Sequence, residues 1–255
     1  MTTRLTEEEI ASMREAGRKL VAVLAEIKSA IAPGVNLMQL EEIADRATRK
    51  HGALPSFRGY HGYPAATCLS VNEQIVHAVP QDRVLRDGDI LSVDMGLYYQ
   101  GVHADATVTW SVGRVAPAVK RLMDGTYAAL LAGTDQVKPG AHAGDISQAI
   151  EKVLKARGLT IFQQFVGHGI GKKLHEDIVI PNFFTGEMGP KLTPGTAIAI
   201  EPIAGLGSSD QVITSPDGWT AYAEDSQPAA HFEHTVLVTD QGHEVLTPLE
   251  TLIGS

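Results

Sequence analysis

One cysteine in 255 residues, Cys68, leaves no internal disulfide and no cysteine-rich zinc finger for this chain to be built on. Long apolar runs are missing as well. The run from Leu20 to Ala25 is six residues, far short of the roughly 20 that cross a bilayer. The first ten residues hold three glutamates and no apolar segment of the kind that directs export. Positive charge is in deficit: 21 Lys and Arg stand against 30 Asp and Glu, a formal net charge of −9, and no basic cluster offers phosphates a counter-charge. Membrane insertion, export and nucleic-acid binding are thereby disfavoured, and a soluble, cytoplasmic protein is expected. What is present is an ordinary globular composition, 44% hydrophobic and 20% charged, with length enough for a substantial core.

Thr6 and Glu9 have capping-box spacing, and Ile10, Met13, Leu20, Val23, Leu24 and Ile27 follow at helical intervals until Pro33 and Gly34. Asn36 and Gln39 open a second predicted helix, which carries Leu37, Leu40 and Ile43 and ends near His51 and Gly52. Strands are expected over 66–72, 89–95 and 102–110, with residues 96–101 as a hairpin turn. The pattern then starts again. Pro33 and Pro139, like Gly52 and Gly158, are separated by 106 residues, and 85–94 aligns with 192–201 at an offset of 107. Asp94 thus corresponds to Glu201. An alignment of 103–108 with 231–236, at an offset of 128, matches Asp105 with Glu233. The chain reads as one domain, 1–255, made of pseudo-repeat halves of about 1–115 and 116–255.

Strand alternation puts Ser92 and Asp94 on one face and Leu91, Val93 and Met95 on the other, and the repeat sets Ala197, Ala199 and Glu201 against Ile198 and Ile200. Helices are expected over the bulky face alone, with an acidic cavity on the opposite one. A hairpin centred between Tyr99 and Gln100 would place Asp94 directly across from Asp105, roughly 5 Å apart at Cβ. Two buried carboxylates that close repel strongly, and a divalent cation offsets the repulsion. Four of them suggest two ions sharing bridging oxygens. His168, between glycines in 166–171, is the candidate fifth ligand. Taken one at a time these residues have blander readings: a strand-end Asp as a cap, a Gly-flanked His as a loop residue, Cys68 as a small buried apolar group, and Tyr60, Tyr63 and Trp219 as packing. A phosphate loop over 166–173 is excluded, since Val166 and Lys173 stand where Gly and Ser or Thr are required.

Gly-Tyr-His-Gly-Tyr-Pro (59–64), Cys-Leu-Ser-Val-Asn-Glu (68–73) leading to His77, Val-Asp-Met-Gly around Asp94, the strand with Asp105, Gly-His-Gly-Ile-Gly (167–171) followed by His175, Ile-Glu-Pro (200–202), Asp-Gly-Trp-Thr (217–220) and Glu-His-Thr (233–235) occur in that order. Together they resemble the type I methionine aminopeptidases. The resemblance implies an α+β pita-bread fold: two pseudo-symmetric halves, a curved antiparallel sheet, helices outside and a dinuclear metal site inside. It implies metal ligation by Asp94, Asp105, His168, Glu201 and Glu233, with Asp105 and Glu233 bridging two divalent ions. Cobalt, manganese, iron and zinc all suit such donors. It further implies that Glu201 accepts a proton, that His175 stabilises the substrate carbonyl, that His77 lies near the second substrate residue, and that Tyr60, Tyr63, Cys68 and Trp219 line a methionine pocket.

The substrates so implied are nascent polypeptide N-termini at the ribosome, with an initiator methionine before a small residue, and the enzyme is expected to be a monomer. Leu174 departs from the aromatic residue many members carry, and Ala78 from the commoner glycine after His77. No extension precedes the first helix, so ribosome-docking zinc fingers are not expected. The alternatives are a prolidase or proline-specific aminopeptidase of the same fold, or a noncatalytic pita-bread binding protein.

Overall fold

Thr6 caps the first helix as its spacing predicts. Its hydroxyl accepts the Glu9 amide at 3.3 Å while the Glu9 carboxylate accepts the Thr6 amide at 2.8 Å. The helix, α1, spans Glu7–Ala30, and α2, Leu37–Lys50, is boxed in the same way by Asn36 and Gln39. Pro117 sits in the first turn of α3, Pro117–Thr134, where its missing N–H costs nothing. His142 and Asp145 cap α4, Ala143–Ala156. The computed structural model describes residues 4–253.

Every strand ladder among the described residues is antiparallel. Ile90–Tyr99 pairs with Val102–Ser111, Cys68–Val71 and Leu54–Pro55 in a four-stranded sheet; a five-stranded sheet runs His243–Val245, His234–Val238, Ala197–Ile200, Val166–Gly169, Glu176–Pro181; two three-stranded sheets complete the set. Leu20, Leu24 and Ile27 of α1 bury fully against Leu91, Val93 and Met95, so the helix covers the bulky face of the hairpin. α3 and α4 pack on each other and back the second half, α4 against Glu176–Pro181 and α3 against Ala229–His231.

The hairpin corrects the expected register. Gln100 and Gly101 both take positive φ, +45° and +90°, in a two-residue turn, so the strands run on to Tyr99 and restart at Val102. Asp94 therefore lies opposite Thr107, and Asp105 opposite Gly96. A shift of two residues leaves every side chain on its face, and the two aspartates become diagonal neighbours on the same surface.

The repeat is visible in hydrogen bonds. Gly34 N–H donates to Leu85 O and Gly140 N–H to Leu192 O; Gly88 N–H donates to Val112 O and Gly195 N–H to Val238 O. The offsets of 106 and 107 hold over these helices and first strands. For the returning strand the ladder differs from the alignment: Val93 pairs with Val108 and Ile200 with His234, an offset of 126 between 108 and 234. Glu233 thus occupies the position related to Thr107 and His231 the one related to Asp105, since strand pairing and residue likeness place the returning strand two residues apart.

Gly17, in the middle of α1, faces the Leu246 carbonyl oxygen, which an added Cβ would strike. Helix propensity alone favours Gly17→Ala by about 1 kcal/mol, but overpacking against a backbone atom costs about 1–3 kcal/mol. The substitution is expected to lower the midpoint of thermal unfolding; a raised midpoint would show that the contact relaxes freely.

Candidate metal centre

Two sheets meet along a seam where Glu233 N–H donates to Thr107 O at 3.0 Å and the Thr107 hydroxyl donates to the Glu233 carboxylate at 2.8 Å. The seam aligns side chains in rows. One row runs Cys68, Asp94, Thr107, Glu233. The next runs Gly96, Asp105, Thr235, Ala199, His168, with the Thr235 hydroxyl accepting the Asp105 amide at 2.9 Å and donating to the Asp105 carbonyl at 2.8 Å. Glu201 follows at the end of Ala197–Ile200, its Oε1 3.6 Å from His168 Nε2. Potential ligand atoms of Asp105, His168 and Glu233 lie within 4.8 Å of one another.

The four acids are all taken from water. Burial raises the carboxyl pKa of Asp94, and burial together with the charge of the neighbouring acids holds Asp105, Glu201 and Glu233 well above the ordinary carboxylate range. Among the described residues their ion-pair contacts are with His168 and His231, and no lysine or arginine bridges to them. His168, pushed down to about 3 by burial, is neutral. Its Nδ1 is 2.9 Å from the Gly169 carbonyl, which fixes the proton there and leaves Nε2 as a lone pair aimed at the acids. Four oxygen donors and one oriented imidazole fit a divalent cation, and among the described residues no lysine or arginine offsets their charge.

Above this floor opens a cavity of about 410 Å³, bordered by every residue expected at the site. Tyr63 packs edge-on to Trp219, ring centroids 5.2 Å apart, with its hydroxyl between the Thr67 and Ala78 carbonyls at 2.9 and 3.1 Å. Cys68 is buried, and burial pushes its thiol pKa up, so it serves as apolar wall and not as nucleophile. The Tyr60 hydroxyl lies 2.8 Å from His175 Nδ1, and His175 stands edge-on to His168 at 4.2 Å between centroids. His77, in a left-handed backbone conformation with φ +58°, turns its ring edge-on to Phe165 at 5.8 Å; burial holds it near 4.

Four contributors escape a reading of the sequence. Phe57 and Phe165 border the cavity from segments without a motif. Glu41 of α2 holds the loop that carries Tyr60 and Tyr63: its carboxylate accepts the amides of Ala66 and Thr67 at 2.6 and 3.1 Å and the Thr67 hydroxyl at 2.6 Å, and pairs with Arg58 at 3.0 Å. The available signal was an acid set between Leu40 and Ala44 on the buried stripe of an amphipathic helix. His231, the last residue of the strand Ala229–His231, brings its Nε2 to 3.5 Å from Glu201 Oε2.

Residues 11–240 match the model of metallopeptidase family M24. The chain belongs to this family. It is 41% identical over 242 residues to methionine aminopeptidase 1 of Bacillus subtilis (strain 168), covering 95% of this chain and 97% of the relative. A methionine aminopeptidase structure from Thermotoga maritima superposes with a TM-score of 0.94 at 40% identity, covering 97% of this chain and 99% of the other. A prolidase from Pyrococcus furiosus shares the fold, with a TM-score of 0.79 at 22% identity, and this chain spans 65% of its length. The architecture is accordingly the pita-bread fold of M24, and the enzyme is a metal-dependent hydrolase. No helix among the described residues is long and apolar enough to cross a membrane.

The raised carboxyl pKa values set the pH dependence of the M24 centre. A group protonated more readily in the folded than in the unfolded chain stabilises the fold at low pH, and that contribution is lost as pH rises through its folded pKa. A cation must displace those protons, so it stabilises more as pH rises. His168, neutral above about 3, adds nothing to this slope. Added Mn²⁺ is expected to raise the melting midpoint more at about pH 8 than at about pH 5.5, and equal shifts at both would contradict the electrostatics described.

Proposed function

We propose that this M24 enzyme removes the N-terminal methionine from peptides and nascent proteins whose second residue is small. It would act in the cytoplasm on chains emerging from the ribosome, as a monomeric single domain in two halves of about 1–115 and 116–255. The observation that carries the reading is the cluster of Asp105, His168 and Glu233 ligand atoms on the floor of an apolar cavity, in a chain related along its whole length to methionine aminopeptidases.

Asp94, Asp105, His168, Glu201 and Glu233 would hold two divalent ions, of manganese, iron, cobalt or zinc. When bound, these supply Lewis acidity toward water and the scissile carbonyl. The chain's own groups account for the rest. Glu201, beside His168 and relieved of its own proton when a cation is bound, would be placed to accept a proton from water. A hydrogen bond from the Tyr60 hydroxyl to His175 Nδ1, 2.8 Å away, would set the tautomer with Nε2–H free to donate to the substrate carbonyl oxygen. Tyr63, Cys68 and Trp219 exclude water from an unbranched thioether side chain, where a charged one would lose its hydration without a partner. His77 and Phe165 narrow the space next to it and favour a small second residue.

A peptide panel at equal metal loading tests the substrate class. Met-Ala and Met-Gly peptides are expected to be cleaved well, Met-Lys and Met-Phe poorly, and Lys-Ala hardly at all. Preferential cleavage of Ala-Pro would transfer the protein to the proline-specific branch, and no cleavage of any peptide with any of the four ions would make it a binding protein.

His175→Ala is expected to retain its metal and lose about 10²-fold in kcat. Tyr60→Phe should lose less, because the ring remains but the tautomer is no longer set. Loss of metal from His175→Ala would place that residue among the ligands instead.

A further inference from the structure

Around the seam the hydrogen bonds repeat, with one chemical substitution. The Thr235 hydroxyl accepts the Asp105 amide and donates to the Asp105 carbonyl; the Thr109 hydroxyl accepts the His231 amide at 2.9 Å and donates to the His231 carbonyl at 2.7 Å. The relation that exchanges these contacts leaves Thr107 and Glu233 facing each other and puts His231 where the other half has Asp105. Ser92, the ladder partner of Thr109, places its hydroxyl 2.8 Å from that of Thr109.

His231 is 1% exposed, and its Nε2 has no hydrogen-bond partner. A buried ring nitrogen without a partner is costly to the fold and calls for a functional account. The atom it faces is Glu201 Oε2 at 3.5 Å, while Glu201 Oε1 faces His168 Nε2 at 3.6 Å. One carboxylate thus lies between two imidazoles. Both backbone polar groups of His231 are pinned by Thr109, so only side-chain rotation is free, and a small rotation closes 3.5 Å to hydrogen-bond length.

We propose that His231 is a positioning residue of the metal centre, whose Nε2–H holds Glu201 by Oε2 and so keeps Oε1 turned toward His168 and the cation site. It neither ligates nor touches substrate. The assignment rests on the reading of the centre given above. A partner of this kind, behind a ligand, changes metal affinity or turnover by about 10- to 100-fold when removed. Leucine matches the bulk of imidazole but offers no donor, whereas the glutamine amide offers an N–H to the same oxygen.

The test compares the full chain with His231→Leu and His231→Gln in three measurements: metal-free thermal melting, calorimetric titration with Mn²⁺ alone, and kcat and KM on a Met-Ala peptide. His231→Leu is expected to melt near the parent chain, bind Mn²⁺ at least about 10-fold more weakly and lose kcat with KM little changed. His231→Gln should recover most of both. Parent-like Mn²⁺ affinity in His231→Leu overturns the proposal, as does a His231→Gln that melts normally yet loses as much as His231→Leu. Should His231→Leu fail to fold, His231→Gln decides alone: affinity within a few-fold of the parent upholds the role and a tenfold loss overturns it. A parent chain that does not bind Mn²⁺ at all refutes the metal reading itself, a result distinct from these.

Discussion

Asp94, Asp105, Glu201 and Glu233 repel one another on a surface that water barely reaches, and the remainder of the molecule either brings them together or bears the consequences. No basic side chain relieves them among the described residues, so the scaffold has to be stable before the centre is filled. That stability comes from the other face of the same strands. Leu91, Val93, Met95 and Val108 are fully buried under α1, and Ile198, Ile200 and Val236 belong to the same continuous core. Burying such side chains contributes about 1.5–3 kcal/mol each, enough in aggregate to hold a face that electrostatics alone would push apart. Gly167 matters for the same reason: a Cβ there would strike the Ala199 carbonyl, and the strand carrying His168 could not lie close enough to reach the acids.

Specificity and metal binding share one strand pair. Cys68 pairs with Asp94 across the ladder, so the wall of the pocket and a candidate ligand occupy neighbouring positions. Tyr60 links the two differently, through its contact with His175, which in turn stands against His168. Glu41 then anchors the tyrosine loop to a helix on the far side of the sheet. The apolar pocket and the centre are therefore joined by few, short contacts.

How much of this was legible in the sequence follows from the range over which each feature acts. Capping boxes depend on residues three apart, and both expected ones are present. Strand faces depend on a period of two and were legible for the same reason. The hairpin register was not, because it turns on Gln100 entering the left-handed region, without the Asn-Gly or Asp-Gly pair that announces such turns. The error was two residues, which is why the facing of Asp94 and Asp105 survived it. Contacts such as Tyr60 to His175, 115 residues apart, or Glu41 to Ala66, 25 apart, leave no trace in local pattern. The family resemblance supplied the pocket residues, while residue chemistry and repetition alone had already singled out the four acids.

The seam between the two halves has a consequence for which end of a polymer can be served. A polypeptide has a direction, from amino to carboxyl terminus, and a cage whose halves were chemically equal would present the same surroundings to a chain entering either way. The backbone contacts of Thr109 and Thr235 come close to such equality. The side chains break it: His231 stands where the other half has Asp105, Glu201 where it has Asp94, and Glu233 where it has Thr107. The backbone of the cage is thus close to two-fold in its hydrogen bonds while its side chains are not, and only side-chain chemistry can give such a cage the polarity that an exopeptidase needs.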